Sequence, residues 1–157
     1  MDQIESLKSL NKILSSSLPY NLIMTLDQID NLLTNALIAT NHVQNCAMVI
    51  IKTGKVVGTS KGFKLRLQDI QTLQRAFKNA NVIRDDGIYF QNEKYSCVRV
   101  DNHSVYARNE GKGMVIVKTA KFLIVGTYIE GMYPSVCVEA LEKLGEYDDI
   151  WNIKQQD

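Results

Sequence analysis

The sequence is poor in the residues that mark several common protein classes. Its 157 residues include only three cysteines, Cys46, Cys97 and Cys137. They are widely spaced, form no CxxC pair and have no histidine at ligand spacing, so neither a disulfide scaffold nor a zinc site is indicated. Reduced thiols in an intracellular protein are expected. No stretch approaches the roughly 18 apolar residues of a membrane span, so the chain is expected not to be transmembrane. The N-terminus carries Asp2 and Glu5 and lacks the apolar core of a secretory signal. Charge imbalance is also missing. With 18 Lys and Arg against 17 Asp and Glu the formal charge is +1, which argues against bulk binding of nucleic acid but leaves room for a local basic face. The expectation is one soluble cytoplasmic domain, long enough to bury a core without metal or disulfides.

A catalytic constellation is not evident either. The best grouping is Asp101, His103 and Ser104, but neighbours in a tight turn do not form a triad by adjacency, because strand alternation points them apart. A polar turn is expected there. His42 follows a helix end, where capping or solvent contact is its natural role. Cys46 and Cys97 lie in apolar runs as inert small hydrophobes. The Gly111-Lys112-Gly113 sequence joins two strands and is too short for a phosphate loop. The chain is therefore expected to be no enzyme, with no catalytic residues, no cofactor and no metal ligands.

What is present is a succession of amphipathic segments. Residues 1 to 15 place Ile4, Leu7, Leu10 and Leu14 on one helical stripe. Ser15-Ser16-Ser17-Leu18-Pro19 then breaks the pattern, since proline forces its predecessor out of helical geometry. This predicts an N-terminal extension over 1–24, a domain over 25–151 and a polar tail over 152–157. A helix is predicted from about residue 25, with Thr25 and Gln28 at capping-box spacing and Leu26, Ile29, Leu33, Ala36 and Leu37 as its apolar stripe. Residues 46–51 read as a strand covered on both faces, and Thr53-Gly54 turns it into a hairpin with residues 55–58. A further helix is predicted over 67–78, with Ile70, Leu73, Ala76 and Phe77 on one side.

From residue 87 onward five β-branched or aromatic runs, at 88–90, 95–100, 104–108, 114–118 and 122–129, are separated by short polar turns. Such short connections permit only antiparallel neighbours. The run 114–118 is apolar at both parities, which predicts helices on both faces of the sheet. A last helix follows Pro134, with Cys137, Ala140, Leu141, Leu144, Tyr147 and Trp151 on one face. Gly145 is expected to weaken its later turns.

Several of these segments carry a resemblance. Gly87-Ile88-Tyr89-Phe90, Tyr95-Ser96-Cys97-Val98-Arg99, the segment from Gly113 to Thr119, and Leu144-Gly145-Glu146-Tyr147, with Gly62-Phe63 upstream, resemble profilin. The segments from Ser104 to Glu110 and from Thr127 to Ser135 are similar to the divergent testis-type (fourth vertebrate) profilin. The resemblance runs from about residue 25 to 147. It implies an α+β fold, an antiparallel sheet with the terminal helices on one face and further helices on the other. It also implies three ligands: actin monomers, proline-rich segments and acidic phospholipids including phosphoinositides.

By matched position Arg99, Arg108, Lys112 and Lys118 are the candidates for the actin and lipid surface, and strict alternation would set Cys97, Arg99 and Asp101 on one side of their strand. Tyr147 remains from the aromatic platform that grips proline-rich ligands, and Trp151 stands just beyond it. No Trp, Tyr or Phe occurs between Tyr20 and Phe63, with Ile29 or Leu33 where the family has rings, so proline-rich binding is expected to be lost. Two functions follow. One is a cytoskeletal regulator of actin dynamics. The other is a structural adaptor in a microtubule or axonemal assembly of a cilium or flagellum, with the stripe of Ile4, Leu7, Leu10 and Leu14 as a docking helix for a partner.

Overall fold

In a computed structural model of the chain, the structure describes residues 21–156, and side chains for 28–146. The expected extension helix with Ile4, Leu7, Leu10 and Leu14 lies outside the described residues, as do the side chains of Tyr147 and Trp151.

The first helix, α1 (Asn21–Ala36), ends in a 3-10 turn at Ile38–Thr40, and the hairpin β1 (Asn45–Ile50) and β2 (Val56–Thr59) follows. Two short helices, α2 (Leu67–Arg75) and α3 (Ala80–Asp86), lead into β3 (Ile88–Phe90), β4 (Glu93–Val100), β5 (Ser104–Asn109), β6 (Lys112–Lys118) and β7 (Phe122–Tyr128). Helix α4 (Pro134–Gln156) closes the chain. All seven strands form one sheet in the order β2-β1-β7-β6-β5-β4-β3, with antiparallel pairing throughout.

The core has two layers, as the double-parity strands predicted. On one face Cys46, Met48, Val115, Val117 and Ile124 pack with Ile29, Leu33 and Leu37 of the first helix region and with Cys137, Leu141 and Leu144 of α4. On the other, Ala47, Val49, Met114, Ile116 and Val125 pack with Leu73, Ala76 and Ile83. Gly58 permits the close seating of α1 on β2, because a Cβ there would stand 2.5 Å from Ile29 Cγ2. Asp30 adds a tie by accepting the Thr59 N–H at 2.8 Å.

Two sequence expectations are corrected. The first helix is already formed at Asn21, so Thr25 is an interior residue and not a cap. Nothing between Pro19 and Thr25 breaks a helix, and the favourable run simply continues backward. The helix expected over 67–78 ends at Arg75, and Asn79 starts a new one by accepting the Val82 N–H with its side chain. Helix α3 has a single buried apolar side chain, Ile83, too little for a periodic signal. Helix α4 continues past Gly145 to Gln156.

Candidate functional site: an open half-sheet

The covering helices leave part of the sheet bare. Helix α1 lies on β2, and α4 lies along β6 and β7, while α2 and α3 contact β3 and β4 from the opposite side. Among the described residues, no helix on the α1 and α4 face lies over β3 or β4, and α4 reaches only the edge of β5, through Glu142. Tyr89 (60% exposed) and Val98 (62%) are bare there, beside exposed Lys94, Ser96, Arg99 and Arg108. The pairings Tyr89↔Lys94 and Ser96↔Arg108 fix these side chains on one surface.

A bulge shapes that surface. The register passes from Cys97↔Ala107 directly to Arg99↔Tyr106, so Val98 and Arg99 together oppose Tyr106. Strict alternation is interrupted, and Cys97 and Arg99 do not share a side: Cys97 packs toward the second core layer, whereas the Arg99 guanidinium lies 6.0 Å from the centre of the Tyr106 ring. Two consecutive exposed residues on β4 are the result.

Tyr106 joins this surface to α4. Its phenol and the Ser104 hydroxyl both donate to Glu142 Oε1, the latter at 2.9 Å. Burial first, then the hydrogen bond and charge of Glu142, push the Tyr106 phenol up to about 12. Arg99 also pairs with Asp101 at 3.2 Å. Asp101 accepts the N–H groups of His103 and Ser104, each at 2.8 Å, and those bonds, His103 first, hold its carboxyl below the usual range. The expected polar turn is thus an Asx turn, with Ser104 directed to Glu142.

The four candidate cations divide between two faces. Arg99 and Arg108 lie on the open half-sheet, where Arg108 donates to the Glu110 carbonyl at 3.3 Å. Lys112 and Lys118 point to the opposite side from the two ends of β6, about 20 Å apart. Lys112 is bonded to Glu93, and the Lys118 ammonium stands 5.8 Å from the centre of the Phe77 ring. Ile29 and Leu33, at 5% and 0% exposure, are core residues and contribute nothing to a ligand shelf.

Elsewhere, His42 Nδ1 accepts the Tyr133 N–H at 2.9 Å, and the two rings stack with centroids 4.9 Å apart. His42 thereby ties the end of the 3-10 region to the start of α4. All three cysteines are free, and burial pushes the thiols of Cys46 and Cys137 up to about 12, leaving them unreactive. Among the described residues no cluster of metal-ligating side chains is present, and no helix is long and apolar enough to cross a membrane. Sequence reasoning missed Tyr89 and Val98 as surface residues, because apolar side chains in strands read as core. It also missed Glu142, which periodicity along α4 does not distinguish from any solvent-facing acid.

The arrangement is that of known proteins. The family model described as Profilin matches residues 27–147. A Mus musculus protein named Profilin-4 is 46% identical over 123 residues, covering 78% of this chain and 95% of its own. Among solved structures, Acanthamoeba castellanii profilin IA superposes with a TM-score of 0.71 at 32% identity, covering 76% of this chain and 95% of that one. Schizosaccharomyces pombe profilin gives 0.70 at 26% identity, with 75% and 94% covered. With the match running from α1 through the whole sheet into α4, the chain belongs to the profilin family.

Proposed function

We propose that this profilin is a cytoskeletal regulator that binds actin monomers on the open half-sheet and also engages acidic phospholipids. Profilins are not enzymes, so function must lie in such surfaces. The observation that carries the reading is the uncovered patch of Tyr89, Val98, Arg99 and Arg108, a rigid sheet surface with apolar area at its middle and cations around it. Such a surface suits a protein partner with acidic groups at its edge. The cytoplasm and its cytoskeleton are the corresponding location. Lys112 and Lys118 belong to the other face and are better suited to a separate anionic contact than to the actin surface.

Proline-rich binding is absent in this reading. The stretch between Tyr20 and Phe63 has no aromatic ring, and the aliphatic side chains Ile29 and Leu33 are committed to the core. That same loss favours the second reading, an adaptor in a microtubule or axonemal assembly that keeps the scaffold and docks through other surfaces.

Co-precipitation with actin monomers separates the two. The full chain should retain actin, and reversing Arg99 and Arg108 to Glu should abolish retention. Absence of actin binding, together with persistence of the protein in an isolated microtubule or axonemal fraction, would establish the adaptor instead. Titration with a proline-rich peptide should leave Trp151 fluorescence unchanged.

A further inference from the structure

The near-neutral total conceals a segregated charge. Between residues 31 and 84 there are eight Lys or Arg and a single acid, Asp69. That acid is buried and already accepts Arg66. The fold gathers part of this excess into a cleft of about 460 Å³ on the sheet face opposite the open half-sheet. Its lining is Ile51 and Lys52 from the turn after β1, and Gln71, Gln74, Arg75 and Lys78 from α2 and the turn after it. No carboxylate lines it. Lys52, Arg75 and Lys78 are exposed, and none of them enters an ion pair among the described residues.

The cleft is also a fixed shape. Gln74 Nε2 donates to the Ile51 carbonyl at 3.0 Å, which ties α2 to the end of β1. A Cβ at Gly54 would stand 3.1 Å from both Gln74 Nε2 and Ile70 Cγ2, so the hairpin turn is seated directly on the helix. Leu67, Gln71 and Arg75 follow one another at four-residue spacing along α2, a stripe of about 12 Å, and Lys78 stands in the turn beyond its end. Leu67 at its head is 72% exposed, the barest large apolar side chain among the described residues.

We infer that this cleft is a docking site for an extended acidic polypeptide segment carrying an apolar residue at one end. Cations distributed along two walls match carboxylates repeating along a chain, whereas a compact oxyanion would engage only one or two of them. A stripe of this length accommodates about four residues of extended peptide. Leu67 supplies the apolar contact. A flat bilayer would meet the rim cations but not the walls. The site lies on the far side of the sheet from Arg99 and Arg108 and does not rest on the actin reading; both surfaces can be occupied together.

Fluorescence anisotropy with a labelled glutamate-rich peptide carrying one leucine, titrated with the full chain at low salt, tests this. Saturable binding is expected, weakening at least about tenfold in physiological salt. A similar loss is expected when Lys52, Arg75 and Lys78 are all changed to Glu, and a milder loss when they are changed to Gln. Arg99→Glu with Arg108→Glu should leave it unaltered. Leu67→Ser should weaken the leucine-containing peptide but not a plain polyglutamate of equal length. Far-UV circular dichroism of each variant checks that these exposed changes leave the fold intact. No peptide binding, or binding indifferent to the Lys52, Arg75 and Lys78 changes, would overturn the proposal. So would selective capture, through those same residues, of phosphatidylserine vesicles or an oligonucleotide in place of the peptide.

Discussion

Gly145 of α4 lies directly against Val117 of β6: a Cβ built on the glycine would come within 2.6 Å of Val117 Cγ1. The glycine that reads as a weak point in the helix is therefore a place where helix and sheet approach closely. Gly145→Ala should gain about 1 kcal/mol of helix propensity and lose about 1–3 kcal/mol to overpacking. The net expectation is a destabilised protein, melting several degrees lower in a thermal scan. The paired change Gly145→Ala with Val117→Ala, which removes the obstructing methyl groups, should recover part of the loss, and an unchanged melting point for the single variant would show that α4 shifts freely on the sheet.

Among the described residues Asp69 is the one buried carboxylate, and its partners come from two separate segments. It accepts the backbone N–H of Arg66 at 3.0 Å and that of Gln91 at 2.9 Å, together with the side chains of both residues. Burial acts to raise its pKa, but the bonds from Arg66 and Gln91 outweigh it, and the net shift is downward. A lowered folded-state pKa stabilises the fold above the ordinary carboxyl range and loses that contribution as pH falls through the folded value. Asp69→Ala should cost about 3 kcal/mol by stranding buried donors, read from urea unfolding at neutral pH. The gap between wild type and variant should shrink toward acid pH.

Much of the fold is legible in the residues, for identifiable reasons. Strands 88–90, 104–109 and 114–118 are bounded by short polar turns and have no competing helical period, so their positions and antiparallel pairing follow directly. The bulge at Val98 is not legible, because no glycine or proline marks it and the register depends on Tyr106 in the neighbouring strand. For the same reason Arg99 could be named from the sequence but not assigned to a face. Lys112 and Lys118 share a parity, which is readable; their separation from Arg99 and Arg108 appears only with the sheet assembled. The basic cleft had a signal in the uneven distribution of acids along the chain, hidden by a total charge of +1.

Tyr106 and Glu142 give the fold an alkaline limit. The phenol's folded-state value is raised to about 12, from an ordinary value of 10.0, so its contribution is complete below pH 10 and is lost as pH rises toward about 12. The wild type should lose stability across that window. Tyr106→Phe should lose less there, while being less stable at neutral pH by about 1 kcal/mol, because Glu142 keeps Ser104 as its remaining protein donor. Chemical denaturation at neutral and alkaline pH, accompanied by phenolate absorbance, measures both effects. Equal alkaline losses in the two proteins would assign the limit to another group.

The division of the four cations makes the proposed actin surface separable by single changes. Val98 is 62% exposed, so Val98→Asp should leave stability within about 0.5 kcal/mol of wild type. On the open half-sheet, however, it puts an acid at the centre of the proposed actin contact, where a few central residues dominate binding energy. Actin-monomer affinity should fall at least about tenfold, as it should for Arg99→Glu. Lys118→Glu, facing the other way beside Phe77, should leave affinity unchanged. Titration of labelled actin with the three variants reads all of this in one experiment. If Lys118→Glu abolished binding while Val98→Asp preserved it, actin would have to sit on the α2 and α3 side of the sheet, and the open half-sheet would be free for another partner.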